Sequence, residues 1–347
     1  MHELRKILEN KIINDLTKNL KRSPNQLNKV HESDAEIIQL KNSSYDLAIT
    51  IDTISEEIKS GLYSDPYQIG WMSVMVNMSD LAAVGADPLG IVISQIFPKE
   101  TSDDLIKLIQ KGINDACKIC ETFVLGGDTN FGDELIISGC AVGTIPKRKY
   151  LSRVGCKVGD KIFATANIGN GNAFAFDKLF NKQRQKINYK PRAKFEWRQL
   201  LLKYATSCID TSDGVISSLD QLMRLNKLGF RFRQDWGKII ETKSKKLFES
   251  FKLPLWTLLA GEHGEFELIY SVSSKNEKKF LNDAWKQNLK PLYIGELTNN
   301  NNLIINLYEK DQILDTEKIR NLAFDKNFTP QQYLHKLLKI DTFLKQP

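Results

Sequence analysis

The stretch NMSDLAAVGADP, residues 77–88, places Asp80 among small and apolar side chains. It ends a longer helical pattern that begins near residue 69, and β-rich segments flank this pattern at residues 46–52 and 89–97. A further helix at residues 103–120 and a strand at residues 134–145 continue the alternation. Alternating strands and helices predict an α/β or α+β first domain.

The alternation breaks at PKRKY, residues 146–150, and a new strand begins with KIFATANIG at residue 161. A chain of 347 residues is long for one hydrophobic core. We therefore predict two domains, residues 1–148 and 149–347. At the start of the first domain, apolar residues recur at helical spacing from Leu4 to Leu20 and predict an amphipathic helix docked on the core.

Composition is that of a globular protein, and an anionic small substrate would favour its mildly basic charge. Hydrophobic residues make up 41% and charged residues 26% of the chain, and no stretch approaches the roughly 18 to 20 apolar residues that cross a bilayer. The net charge of +7 comes from scattered basic residues interleaved with 42 acidic ones, which argues against nucleic acid. Without a membrane span or a secretory signal, we expect a cytoplasmic protein.

The five cysteines predict free thiols, because an odd number in a chain without an export signal disfavours a disulfide framework. Cys117 and Cys120 form a lone CxxC with no second pair and no nearby histidine. A zinc site is therefore disfavoured, and we expect both thiols to be buried.

Single aspartates recur within runs of small or polar residues, in TIDT (50–53), in the opening stretch, in LGGDTN (125–130) and in IDTSDGV (209–215). Each could be a helix N-cap when taken alone, but clustered carboxylates raise one another's pKa unless a cation intervenes. Oxygen ligands suit Mg²⁺, which is commonly shared with substrate phosphates. The runs predict an enzyme that handles phosphates.

Two glycine pairs predict turns whose backbone amides would help to hold phosphate groups, Gly126 and Gly127 in LGGDTN and Gly169 and Gly171 in ANIGNGNA. The chain has neither a GxxxxGK[ST] phosphate loop nor the HRD and DFG signatures of protein kinases. The commonest nucleotide folds are therefore disfavoured.

Taken together, NMSDLAAVGADP, GGDT, RVGCKVGD (153–160) and IDTSDGV resemble thiamine-monophosphate kinase over about residues 30–297. That family belongs to the superfamily typified by aminoimidazole ribonucleotide synthetase. The resemblance implies an α/β (α+β) fold with an N-terminal mixed sheet with helices and a C-terminal α/β sandwich. It also implies phosphoryl transfer from ATP to thiamine monophosphate, several Mg²⁺ ions, and a homodimer.

The resemblance assigns roles position by position. The implied metal ligands are Asp34, Thr50, Ile51 through its backbone carbonyl, Asp52, Asp80, Asp128, Asp210 and Asp213, of which Asp80 and Asp213 are also the implied catalytic residues. The implied ATP-binding residues are Gly127, Asp128, Arg153 and Ser212. On the acceptor side, the matching positions are Lys59 and, as our candidate for the acid, Glu265.

Departures from the family pattern fall mainly on the acceptor side. Lys59 stands where the family has a histidine, and AGEHGEFEL, residues 260–268, replaces GGEDYEL. Two alternatives therefore stay open: a related ATP-dependent enzyme with another phosphorylated acceptor, such as a ribonucleotide cyclo-ligase, and a non-catalytic nucleotide-binding homologue. The sequence leaves open the acceptor's identity, the number of Mg²⁺ ions and any role of K⁺.

Overall fold

The first of two mixed sheets contains five strands. A computed structural model describes residues 3–181, 187–324 and 329–339. The strands of the first sheet are β1 (Glu36–Gln39), β2 (Tyr45–Thr53), β3 (Asp87–Pro98), β4 (Val124–Gly132) and β5 (Ile136–Pro146). Their order is β1-β2-β5-β3-β4, with β3 and β4 parallel and the other pairs antiparallel. The strands predicted for this half are confirmed as β2, β3 and β5.

The second sheet contains seven strands in the order β12-β11-β8-β10-β6-β9-β7. They are β6 (Lys161–Ala164), β7 (Ala205–Asp210), β8 (Gly229–Phe232), β9 (Leu268–Val272), β10 (Leu292–Thr298), β11 (Leu303–Leu307) and β12 (Lys310–Leu314). β8 and β11 run parallel, whereas the other neighbours are antiparallel. The predicted α/β (α+β) class with mixed sheets is confirmed, and the division into two domains after residue 148 stays a prediction.

Twelve α-helices are described along these ranges. Those before β6 are α1 (Leu8–Thr17), α2 (Ser55–Lys59), α3 (Pro66–Ala83) and α4 (Asp103–Ile119). Those after β6 are α5 (Asn170–Leu179), α6 (Arg198–Tyr204), α7 (Val215–Asn226), α8 (Thr242–Ser250), α9 (Thr257–Ala260), α10 (Glu277–Lys286), α11 (Thr316–Ala323) and α12 (Pro330–Lys339). None of the described helices is both long and apolar enough to span a membrane.

Helix α3 is the central element that joins the two halves. Asp65 caps its N-terminus by accepting the Gln68 N–H at 2.8 Å, and Pro66 occupies the first helical position, where its missing N–H costs nothing. The helix packs on β2 and β5 and also contacts β7 of the second sheet, so nearly all of its side chains are buried. This placement explains why the helix is apolar on every side and carries its acid only in its last turn.

Helix α1 forms as predicted, but only the first residues of the predicted apolar stripe, Leu4 and Ile7, are buried, and the prediction is wrong for the rest of the stripe. Leu8, Ile12, Leu16 and Leu20 are 41–69% exposed, whereas the polar Asn10 is 1% exposed. The Asn10 amide donates to Gln221 Oε1 on α7 at 3.0 Å, and this buried polar contact fixes the helix rotation. The N-terminal helix therefore rests on helices of the second sheet.

Two glycines let α3 and α4 approach each other closely. A Cβ on Gly70 would lie 2.0 Å from the Ile109 carbonyl oxygen, and one on Gly112 would lie 2.1 Å from the Tyr67 carbonyl oxygen. Because both obstacles are backbone atoms, no side-chain rotation can relieve the clash. The two helices therefore cross with their backbones in contact.

Replacing Gly70 by alanine should destabilise the protein. Alanine is favoured over glycine in a helix by about 1 kcal/mol, but separating two packed helices costs about 1–3 kcal/mol, so the clash should dominate. Urea unfolding measures the net loss. Gly237→Ala is the matched control, because no atom lies within 4 Å of its added Cβ. Equal stability of both variants would contradict the close crossing.

Candidate active site

Three carboxylates converge where the two sheets meet. Asp34 comes from the loop before β1, Asp80 from the last turn of α3, and Asp210 from the end of β7. One oxygen of each carboxylate lies within 4.8 Å of one oxygen of the other two. Residues far apart in the sequence thus build a single acidic centre, and Asp80 stands between the two sheets.

Hydroxyl groups hold two of these carboxylates in place. Thr50 Oγ1 donates to Asp80 Oδ2 at 2.6 Å, and Ser79 Oγ donates to Asp210 Oδ2 at 2.6 Å. Ser212 Oγ donates to the second oxygen of Asp210 at 2.9 Å. Two neighbouring residues of α3 therefore contact different sheets, because Ser79 donates to Asp210 of the second sheet and Asp80 accepts from Thr50 of the first.

Arg153 supplies the positive charge of the site. Its Nη2 donates to Asp34 Oδ1 at 2.8 Å, and the Asp34 side chain is only 1% exposed. Burial by itself lowers the pKa of the guanidinium, but the paired charge of Asp34 more than offsets this and raises the pKa above its ordinary value. Arg153 therefore stays charged and neutralises only one of the clustered carboxylates.

Burial and mutual repulsion raise the pKa of the remaining acids. Burial, followed by the charges of Asp210 and Asp34, raises the pKa of Asp80 well above its ordinary range. Burial and the charge of Asp34 raise the pKa of Asp210 to about 6, although the hydroxyls of Ser79 and Ser212 oppose the shift. A cluster of buried carboxylates with raised pKa values is expected to bind either protons or a cation.

The donor set fits a hard divalent cation such as Mg²⁺. All three groups offer carboxylate oxygens, and Oδ2 of Asp34 is buried with no hydrogen-bond partner among the described residues. A buried oxygen without a donor is costly unless a cation or a donor approaches it. The arrangement can thus bind divalent ions in the position predicted from the sequence.

Mg²⁺ should stabilise the protein strongly at pH 8 and hardly at all at pH 4.5. The raised carboxyl pKa values favour the folded state below about pH 4, and this contribution is lost as the pH rises to the folded pKa of about 6 for Asp210. Protons therefore compete with the ion at low pH. Calorimetric melting temperatures with EDTA and with Mg²⁺ are compared at each pH. The pKa of His263 is lowered to about 3, so its effect on stability has the opposite pH dependence, but it is the same in both samples and drops out of the difference. An equal increment at both values would contradict an acidic metal site.

Asp52 and Asp213 lie at the margins of the cluster. Asp52 is one residue from the end of β2, two positions after Thr50, and its charge contributes to the raised pKa of Asp80. Ile51 between them points to the other face and is 73% exposed. Asp213 retains solvent contact, but the protein around its carboxyl, together with the charges of Glu9 and Asp210, raises its pKa to about 7.

The prediction that Gly126 and Gly127 form a turn is wrong, because both lie inside β4. Gly127 pairs with Ile93 and Asp128 with Ser94 of β3, and a Cβ on Gly127 would lie 2.0 Å from the Ile93 carbonyl oxygen. Asp128 is exposed and accepts from the Asn130 amide at 2.6 Å. It is absent from the carboxylate group found among the described residues, so its metal and ATP roles stay predictions.

The two predicted acceptor-side residues differ in exposure. Lys59 is exposed at the end of α2 and pairs with Glu134 at 3.3 Å. Glu265 is buried beside the N-terminus of α5, where its Oε2 accepts the Gly169 N–H at 2.8 Å, and burial raises its pKa to about 8. His263, in the same segment, lies 3.4 Å from the Tyr63 hydroxyl. The acceptor roles of Lys59 and Glu265 stay predictions.

Sequence reasoning missed Ser79 entirely, and it assigned Thr50 and Ser212 to the metal and ATP rather than to the acids that their hydroxyls hold. Ser79 directly precedes Asp80 in the opening stretch, so its position was visible, but its contact with Asp210 depends on how the second sheet meets α3. Ile209 and Asp210 end a strand of that sheet, and no local pattern encodes the meeting.

Comparisons with known proteins agree with this geometry. Residues 32–145 match the family AIR synthase related protein, N-terminal domain. The structure of AaThiL complexed with AMPPCP and TMP superposes with a TM-score of 0.71 over 86% of this chain and 93% of that chain, at 20% identity. E. coli HypE, a hydrogenase maturation protein, superposes with a TM-score of 0.68 over 89% and 98% of the two chains, at 17% identity. The fold is therefore the AIR synthase-like fold.

Sequence identity narrows this class further. The thiamine-monophosphate kinase of Methanocaldococcus jannaschii is 30% identical over 308 residues, which cover 83% of this chain and 93% of that protein. The thiamine-monophosphate kinase of Buchnera aphidicola subsp. Schizaphis graminum is 33% identical over 303 residues, covering 84% and 91%. The chain belongs to the thiamine-monophosphate kinase family, as the sequence motifs predicted.

Proposed function

We propose that this protein transfers the γ-phosphoryl group of ATP to thiamine monophosphate, giving thiamine diphosphate and ADP. The observation that carries the proposal is the convergence of Asp34, Asp80 and Asp210 beside Arg153. Family membership supports the choice of reaction, since the similar proteins of M. jannaschii and B. aphidicola are named thiamine-monophosphate kinases. The similar AaThiL structure holds AMPPCP and TMP, which supports a nucleotide and a phosphorylated acceptor here.

The reaction requires that the negative charges of ATP and the acceptor phosphate be neutralised, and it does not require a strong base. An oxygen of the acceptor phosphate attacks the γ-phosphorus, and the bond from that phosphorus to the β–γ bridging oxygen breaks, so that ADP leaves with the electron pair. The acceptor phosphate is already ionised at neutral pH. His263 is half-buried, and because the protein around its ring lowers its pKa to about 3, it is neutral and unsuited to act as an acid.

We propose that Asp34, Asp52, Asp80, Asp210 and Asp213 bind several Mg²⁺ ions. Bound Mg²⁺ would offset the repulsion between the two polyanions and stabilise charge during transfer. Arg153 would donate to a nucleotide phosphate through its guanidinium fork, as charge-assisted pairs of this kind do. Ser212, which already orients Asp210, would position the nucleotide.

The proposal is tested by incubating the purified protein with ATP, Mg²⁺ and thiamine monophosphate, and separating the products by chromatography. Thiamine diphosphate and ADP should form in equal amounts, and EDTA should prevent both. The same assay with formylglycinamidine ribonucleotide covers the alternative acceptor class. Turnover of that substrate alone would replace the proposed acceptor, and failure to turn over or bind ATP would leave only a non-catalytic role.

We also propose a homodimer formed through the first sheet, as the family resemblance implies. β4 is an edge strand, and it exposes apolar side chains that are unusual for a free edge. Phe123, Val124, Leu125 and Phe131 are 48–69% exposed. Ile51 of β2 is a further exposed apolar side chain of this sheet, at 73%. These exposed apolar side chains would be more stable when buried against a second copy of the chain than in water.

A charge placed on this surface should separate the protomers. Phe131→Glu is expected to convert a dimer into a monomer in sedimentation analysis, because a buried carboxylate without a partner is costly. Phe251→Glu, at a 42% exposed position after α8, is the control that should stay dimeric. A wild-type monomer at micromolar concentration would contradict the proposal.

We further propose a cytoplasmic location, which the free cysteines support.

A further inference from the structure

A small cavity adjoins the acidic centre on the side of α1. It has a volume of about 60 Å³ and is bounded by Arg153, Asp210 and Asp213 on one side. The opposite side is formed by Glu9 of α1, His31 and Arg320 of α11. A cavity of this size holds a few water molecules, and carboxylates as well as cations line it.

The cavity is nevertheless built for an anion. His31 Nε2 and Arg153 Nε are buried and have no hydrogen-bond partner among the described residues. His31 adopts φ 71°, a left-handed conformation that ten other described non-glycine residues share, and the turn it makes brings its ring to the cavity. The N-terminus of α7 borders the same space through Ser217 and Ser218, and its backbone N–H groups favour negative charge. Several donors thus face one place.

Glu9 pairs with Arg320, which is the second cation of this cavity besides Arg153. Arg320 is 7% exposed, and its Nη1 donates to Asp220 at 3.0 Å and to Gln221 at 2.9 Å, which fixes the guanidinium. Its Nη2 points outward and donates to Glu9 Oε2 at 2.8 Å. The Glu9 carboxylate therefore stands where a phosphate oxygen would otherwise meet Arg320. Its charge also contributes to the raised pKa of Asp213, which shows that the two acids are close.

Helix α1 is held by contacts that can be exchanged. Asn10 is its only buried residue, and the helix is tied to the second sheet by the Asn10–Gln221 and Glu9–Arg320 contacts and by the Leu8 N–H, which donates to Asn321 at 2.8 Å. Leu8, Ile12 and Leu16 on the helix face outward, and the buried apolar side chains of this segment, Leu4 and Ile7, come before the helix begins. Polar contacts of this kind contribute little net stability when water or a ligand can replace them.

From these contacts we infer that Arg320 and His31 belong to the phosphate-binding site, and that Glu9 occupies Arg320 until the nucleotide displaces it together with α1. The inference rests on the proposed ATP-dependent function. It adds Arg320 as a second cation opposite Arg153, and it makes Glu9 a competitor of the nucleotide for Arg320. The apparent affinity for the nucleotide is then reduced by the fraction of molecules in which α1 is closed.

Glu9→Gln tests this competition, because it removes the charge and keeps the size of the side chain. Titration calorimetry with AMPPCP and Mg²⁺ should show binding about three- to tenfold tighter than in the wild-type protein, since less of the population is held closed. Glu3→Gln is the matched control, because Glu3 belongs to the same N-terminal segment and pairs with Arg224 away from the cavity. The control should bind like wild type.

Two further measurements separate competition from a structural effect. His31→Asn keeps a residue that tolerates the left-handed backbone, and it should weaken AMPPCP binding about tenfold. In the wild-type protein, AMPPCP should accelerate hydrogen exchange of the α1 backbone amides. Unchanged affinity in Glu9→Gln, or slower exchange in α1 on binding, would overturn the inference while leaving the ATP site intact. No AMPPCP binding by wild type would overturn the proposed function and this inference together.

Discussion

Replacing Asp80 by asparagine should reduce phosphoryl transfer by at least about a hundredfold, because the central carboxylate of the divalent-ion site is lost. Asp80 shares the centre with Asp34 and Asp210. It is the single acid of α3, so no other side chain of that helix can replace it. Asparagine keeps the shape and can still accept the Thr50 hydroxyl. The initial rate of thiamine diphosphate formation at saturating ATP and Mg²⁺ measures the loss.

The same substitution should raise the melting temperature in EDTA, which separates loss of activity from misfolding. Asp80 is destabilising when charged, since burial and its neighbours raise its pKa well above the ordinary range. Asp104→Asn is the control, because that side chain is 91% exposed and should affect neither property. Full activity of Asp80→Asn would remove Asp80 from the ion site.

Replacing Arg153 by methionine should destabilise the protein by about 3 kcal/mol or more. The substitution leaves Asp34 buried without its partner, and breaking a buried ion pair costs far more than the pair contributes. It should also raise the KM for ATP, because the guanidinium fork is lost. Guanidinium unfolding and steady-state kinetics measure the two effects.

A surface ion pair gives the matched control for Arg153. Arg231 pairs with Asp311, and both side chains are more than 40% exposed. Arg231→Met should therefore cost less than about 1 kcal/mol and leave the KM for ATP unchanged. The double variant Asp34→Asn with Arg153→Met should recover part of the stability. No recovery would show that Arg153 is held by something other than Asp34.

The acidic centre could be predicted from the sequence because its acids lie in distinctive runs. Asp34, Asp80 and Asp210 were all assigned, and the structure brings them together. Their contact depends on α3 meeting both sheets, which follows from an apolar pattern on every side of that helix. Hydroxyl partners such as Ser79 could not be predicted, since a serine next to an acid has no preferred direction.

Long-range pairing explains the failure at β4. LGGDTN has the composition of a turn, and glycine and aspartate are depleted in strands. β3 nevertheless imposes a parallel register on the segment, from Ile91 opposite Val124 to Pro98 opposite Gly132. Tertiary pairing outweighs local preference here, and no single-sequence pattern contains it.

Helix α1 shows a different limit of prediction. Its period correctly indicated a helix, but the buried side was expected to be apolar and is instead polar. Glu9 and Asn10 find partners on α7 and α11, which lie more than two hundred residues later in the chain. Periodicity defines the two faces of a helix, and only the tertiary partners decide which face is buried.

The central claim is that carboxylates from separate segments bind divalent ions against a nucleotide. A crystal structure with AMPPCP and Mn²⁺, with anomalous scattering to locate the metal, tests this claim most directly. Ions coordinated by Asp34, Asp80 and Asp210 and bridged to phosphate oxygens are the expected result. A bound nucleotide whose metal ions contact none of these three carboxylates would contradict it.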